Sequence, residues 1–206
     1  MHQHFKGAAL LALSLAANLA VAQTPADTQV VDLVPRSTIS QRVSPTFQEG
    51  QHLAPMARAT IFVRDVDESL KLYRDILGLK PMFDSRWSGK GINAIQNTDN
   101  LVLRACVLMA GESIQGNIGI YQLSGEKRKA PPPLQTADTR TGDFAVVFPT
   151  NDIWGMYNKI KDAGYVIISP PVTLMQRPGY KVQPTEMKYR DRDGVRVTLL
   201  MAGVKE

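Results

Sequence analysis

The residue types that most often carry chemistry are scarce in this sequence, and the most informative polar residue is an arginine. The 206-residue chain has three histidines and one cysteine. His2 and His4 stand in its first four residues, which leaves His52 alone downstream. A two-histidine metal site therefore lacks partners in the rest of the chain. No serine sits in a Gly-x-Ser-x-Gly turn. Cys106, inside "LVLRACVLMA", reads as a buried structural thiol, and a single cysteine excludes an intrachain disulfide. What remains is Arg58, at the head of "RATIFVRD". Ala59, Ile61 and Val63 form one apolar face of a strand, and Arg58, Thr60 and Phe62 form the other. An arginine that faces a cavity must find an anion, because an unpaired buried charge is costly.

The elements that would position Arg58 repeat along the chain. After "FVRD" comes the helix "DVDESLKLYRDILG", capped by Asp65 or Asp67, with Leu70, Tyr73, Ile76 and Leu77 on one face and Gly78 ending it. Strands follow over Pro81 to Trp87, Leu101 to Ala110 and Asn117 to Leu123. A Pro-, Thr- and charge-rich linker spans 125–141. The pattern then restarts with the strand "DFAVVF", the helix "NDIWGMYNKIKDAG", the strand "YVII", a loop "SPPVTLMQRPGY", the strand "TEMKYRD" and the strand "VRVTLLM". Trp154 is expected to pack in the core or an interface, and Trp87 to line the cup mouth or lie buried beneath "SGKG". The expected fold class is α+β, with two tandem βαβββ modules (57–124 and 142–203) forming a curved mixed sheet, a half-barrel cup with helices outside. The domain covers 56–203.

The N-terminus reads as an address. "MHQHFKGAALLALSLAANLAVAQ" has a polar start with Lys6, an apolar run from Gly7 to Val21 broken by Ser14 and Asn18, and a small-x-small end at Ala20-Val21-Ala22. The run falls short of the ~20 residues of a spanning helix. A signal peptide over 1–22, cleaved after Ala22, predicts a periplasmic protein with no membrane association after cleavage. Residues 23–55 read as a polar leader, extended or disordered, that clips onto the domain or stays free. The formal charge is +5, but the basic residues are scattered, which argues against nucleic acid as a partner. The tight cluster Lys127-Arg128-Lys129 reads as a solvated loop beside Pro131 to Pro133.

Three segments resemble the vicinal oxygen chelate superfamily, the glyoxalase/bleomycin resistance/dioxygenase group: "FVRDVDESLKLYRDILGL", "VFPTNDIWGMYNKIKDAGY" and "YRDRDGVRVTLL". The resemblance spans roughly residues 57 to 203. It implies a cup holding a divalent metal, with two ligands from each module. The matching positions are Arg58, Gly119, Ala145 and Thr198, and none is a competent ligand. Because the chain departs from the family at all four, no metal, no cofactor and no catalytic residue is expected to carry over.

Strand alternation places Arg58, Phe62, Tyr121, Asp143, Arg196 and Thr198 on the inward face as candidate ligand-binding residues, with Thr60 and Leu200 beside them. Arg58 has two candidate anions, Asp143 at the matching place of the second module or a carboxylate or phosphate on a ligand; simple solvent exposure is the third reading. The leading expectation is a metal-free binder of a small molecule, anionic if Arg58 grips it, with homodimerisation left open. The alternatives are a lactoylglutathione lyase- or dioxygenase-like enzyme with an atypical site, and a structural protein whose cup is closed by its own side chains.

Overall fold

The structure, a computed structural model, describes residues 28–37, 49–53, 56–97, 99–111, 116–125, 133 and 135–205. The expected signal peptide, the Lys127–Lys129 cluster and leader residues 23–27, 38–48 and 54–55 lie outside the described residues.

A short strand, β1 (Gln29–Asp32), precedes the first module. That module comprises β2 (Arg58–Phe62), α1 (Val66–Leu70), β3 (Lys80–Ser88), a short helix α2 (Lys90–Gln96), β4 (Val102–Met109) and β5 (Asn117–Ser124). The second comprises β6 (Ala145–Pro149), α3 (Ile153–Asp162), β7 (Val166–Thr173), β8 (Tyr180–Val182), β9 (Thr185–Arg190) and β10 (Arg196–Met201), and β11 (Val204–Lys205) follows. Each module builds its own sheet, in the orders β1-β3-β4-β5-β2 and β6-β10-β9-β7, and β8 pairs with β11. The expected repeat is therefore present as two sheets. In each, the opening strand runs parallel to the module's last strand, β2 beside β5 and β6 beside β10.

The main core lies between the sheets and the helices. Ile61, Leu70 and Tyr73 of the first module meet Ile153, Met187 and Leu199 of the second. Each such buried aliphatic side chain stabilises by roughly 1.5–3 kcal/mol relative to exposure. α1 and α3 both start on an aspartate. Asp65 accepts from the N–H groups of Asp67 (2.8 Å) and Glu68 (3.1 Å), and Asp152 from that of Gly155 (2.9 Å). A Cβ on Gly155 would stand 2.1 Å from Asp152 Oδ2, so this tight cap needs glycine there. Past Leu70 the first helix widens into a π-helical stretch, Lys71–Ile76, in which Leu77 N–H reaches the carbonyl of Leu72 (2.9 Å). The widened turn buries Leu72 beside Tyr73 and leaves Ile76 and Leu77 half-buried, which an even 3.6-residue period does not give.

The modules are fastened on the helix side. Tyr73 Oη donates to Asp191 Oδ2 (2.9 Å), and the Arg64 N–H donates to Asp193 Oδ1 (3.1 Å). The Arg64 guanidinium donates to the Arg192 carbonyl (2.7 Å) and pairs with Asp193 (2.9 Å). Asp191 also accepts from the N–H groups of Asp193 (2.9 Å) and Val195 (2.7 Å), which shapes the closing hairpin.

Part of the leader forms β1, clipped along β3. Other elements differ from the sequence reading. The "SGKG" segment opens α2, and β7 runs through Pro170 and Pro171 with two register shifts against β9. An edge strand tolerates prolines because its outer N–H groups need no partner. Trp154 does not enter the core: it is 57% exposed and stacks edge to face on Tyr157.

Candidate functional site

The faces turned away from α1 and α3 form the inner surface, and strand register decides what they carry. Arg58 pairs with Asn117, Thr60 with Gly119 and Phe62 with Tyr121. This register sets three of the expected site residues side by side. The Arg58 guanidinium lies 5.6 Å from the centre of the Tyr121 ring, a cation–π contact. Phe62 meets the same ring edge to face, with centroids 6.0 Å apart. Arg58 is exposed and Phe62 is 55% exposed. No carboxylate among the described residues pairs with Arg58. Burial pushes the Tyr121 phenol up, and the Arg58 charge pulls it partly back.

Asp143 is not the partner of Arg58. Its carboxylate accepts from the Arg140 N–H (3.2 Å) and from Arg190 Nη2 (3.2 Å). Those two contacts, the backbone one first, hold it below the ordinary carboxylate range. Arg190, only 1% exposed, also donates to the carbonyls of Thr136 (2.7 Å), Asp138 (2.5 Å) and Gly194 (2.8 Å). Arg196 Nη1 donates to Thr139 Oγ1 (2.7 Å), and Gln135 Nε2 to the Asp191 carbonyl (3.1 Å). Residues 135–143, expected within or beside a linker, are thus docked on the ends of β9 and β10. Asp143 and Arg196 take part in that docking. The Arg58–Asp143 pairing suggested by the repeat fails because Arg190, which follows Tyr189 in β9 and so faces the inner side, reaches Asp143 itself. Arg190 is the anchoring side chain to which the sequence reading gave no role, and the alternation of β9 was the signal for it.

Thr198 is buried in β10 between Val147 and Lys188. Lys188 forms an ion pair with Glu186 along the same face of β9. This second inner wall is polar, with exposed Val147 at its edge. The first wall is apolar and filled. Leu103, Ala105, Val107 and Met109 are nearly as buried as Cys106 and Leu108 on the opposite face of the same strand. Ile92 of α2 packs with Leu103 and Ala105, and Phe83 and Tyr121 join the two inner clusters. Trp87 lies half-buried here, its Nε1 enclosed without a hydrogen-bond partner among the described residues. Cys106 belongs to the helix-side core, and burial pushes its thiol up to about 12.

The four positions that the family resemblance marks for metal ligands do not fit a divalent ion. Arg58 carries a fixed positive charge. Gly119 and Ala145 bring no donor, and Thr198 brings only a neutral hydroxyl. At Gly119 the direction a ligand side chain would take is occupied: a Cβ there would meet Thr60 Oγ1 at 3.0 Å and Tyr121 Cε1 at 3.2 Å. Among the described residues no group of three or more His, Cys, Asp or Glu stands close enough to hold a metal.

Comparison with known proteins agrees with the repeat. A glyoxalase family protein from Bacillus cereus superposes with a TM-score of 0.62 at 13% identity, over 77% of this chain and 99% of that one. A glyoxylase/bleomycin resistance protein/dioxygenase domain from Frankia is 20% identical over 73% of this chain and 99% of its own, with a TM-score of 0.47. No curated protein matches the chain in sequence. The model of one family matches residues 51–199, from the end of the leader through both modules to β10. By that match the chain belongs to the glyoxalase/bleomycin resistance protein/dioxygenase superfamily.

Proposed function

We propose that this protein is a metal-free binder of a small anionic molecule with an aromatic or flat apolar body, exported to the periplasm. The observation that carries the reading is Arg58: an exposed guanidinium laid on the Tyr121 ring beside exposed Phe62, with no carboxylate among the described residues to neutralise it. A ligand carboxylate would take the charge-assisted hydrogen bonds, and the two rings would take its apolar body. The missing donors at the four metal positions favour binding over lyase or dioxygenase chemistry.

A second reading, a closed cup with a structural or interaction role, draws support from the buried apolar wall of Leu103, Ala105, Val107 and Met109. Isothermal calorimetry with a panel of aromatic carboxylates, run on the wild-type chain and on Arg58→Gln, separates the two. The binding reading expects saturable affinity that Arg58→Gln weakens about tenfold or more. A panel that never binds leaves the closed cup as the better account. Export is checked apart from this: protein recovered from a periplasmic fraction should begin at Gln23.

A further inference from the structure

The segment 28–37 precedes the part of the chain that matches the family, yet it is laid along the free edge of β3. β1 runs antiparallel to β3, from Gln29 opposite Ser88 to Asp32 opposite Ser85. The pairing continues past the strand, with Leu33 N–H on the Asp84 carbonyl (2.7 Å) and Ser37 N–H on that of Met82 (2.8 Å). This strap delivers Arg36 over two aromatic rings of the inner face, 5.4 Å from the centre of Phe83 and 5.8 Å from that of Trp87. Arg36 Nε donates to both oxygens of Asp32 (3.0 and 2.9 Å), and Ser85 Oγ donates to Asp32 Oδ1 (2.5 Å). The Nη groups of Arg36 donate to nothing among the described residues, and its side chain is 34% exposed.

Arg36 and Arg58 therefore stand over two ends of one aromatic floor. Phe83 and Tyr121 pack against the same buried residues, Val107 and Ala105. Phe83 lies on β3 and Tyr121 on β5, two strand spacings apart, so the rings under the two arginines are offset by roughly 10 Å. We propose that Arg36, supplied by the strap, is a second cationic arm of the ligand site, and that the site selects an elongated aromatic ligand with an anionic group at each end. This deepens the anion-binding reading of Arg58 and rests on it. Asp32 holds Arg36 by Nε alone, which leaves the outer guanidinium nitrogens to meet the second anionic group.

The test compares two probes by calorimetry, 2-naphthoate and 2,6-naphthalenedicarboxylate. The wild-type chain should bind the dicarboxylate about tenfold tighter than the monocarboxylate, beyond the factor of two from its two equivalent ends. Arg36→Met should remove that difference and leave 2-naphthoate unchanged, whereas Arg58→Met should weaken both probes. Asp32→Asn separates a ligand arm from a mere clip. If Arg36 only fastens the strap, Asp32→Asn loses whatever Arg36→Met loses. If Arg36 reaches the ligand, Asp32→Asn frees its charge and the preference for the dicarboxylate is kept or widened. Should Arg36→Met disturb the fold and weaken 2-naphthoate as well, Asp32→Asn decides alone. Equal binding of the two probes by the wild-type chain overturns the proposal and leaves the Arg58 reading standing. Failure of both probes overturns the Arg58 reading, and the proposal with it.

Discussion

Asp191→Asn should change how stability depends on pH, by an amount the structure allows one to work out. Asp191 is 3% exposed, and burial raises its carboxyl from 3.8 to about 6, against the lowering effect of the Tyr73 hydroxyl and the hairpin N–H groups. A folded-state value above the unfolded one means that the folded protein holds the proton more tightly. The associated stability is complete below about pH 4 and is lost as pH rises through 6. The rise of about two units corresponds to roughly 3 kcal/mol, of which roughly 2 kcal/mol falls between pH 4.5 and 8. Asparagine does not titrate. It keeps an oxygen for the N–H groups of Asp193 and Val195 but presents an amide to Tyr73, which adds a constant offset. The offset is set aside by comparing variant with wild type at several pH values. Urea unfolding followed by tryptophan fluorescence, at steps from pH 4.5 to 8, should show the variant gaining on the wild type by about 2 kcal/mol. A difference that stays flat, or moves the other way, would show that the hairpin N–H groups and Tyr73 match or outweigh burial, and the reasoning would fail.

Other outcomes follow from single contacts. Arg190→Met strips the hydrogen bonds that hold residues 136–143; it should cost about 3–5 kcal/mol in chemical denaturation and open this segment to trypsin at Arg140. Gly119→Ala should lower stability by about 1–3 kcal/mol, since its Cβ crowds Thr60 and Tyr121, and differential scanning fluorimetry reads this directly. The Cys106 thiol, fully buried and pushed up to about 12, should stay unreactive toward a disulfide reagent at pH 8 until the chain is unfolded; fast labelling of the native protein would contradict the packing.

How much could be read from the sequence depended on how far each element declares itself locally. β2, both helix caps and the closing strands β9 and β10 carry their own evidence, because alternation or a capping aspartate beside an apolar face is visible within a few residues. The same regularity placed Arg58, Phe62 and Tyr121 on one face, and register then brought them together. β1 was hidden because all four of its residues are exposed, so its backbone pairing with β3 leaves no mark on the pattern. α2 was hidden because Gly91 and Ile92 are its only buried residues. The docking of residues 135–143 could not be seen in a Thr-rich run, since what binds it is Arg190, some fifty positions downstream. Internal symmetry suggested the wrong partner for Arg58 because the repeats share a backbone plan without sharing ion pairs.

The grip of Arg190 also moves the border between the two halves. A cut for fragment complementation belongs ahead of Gln135, because a second half starting at β6 would leave behind the carbonyls of Thr136 and Asp138. Arg190 would then be buried with donors to spare. Carried on the second fragment, residues 135–144 work as a built-in clasp. That half owns its clasp outright, while its attachment to the first half runs through Tyr73, Arg64 and the shared core.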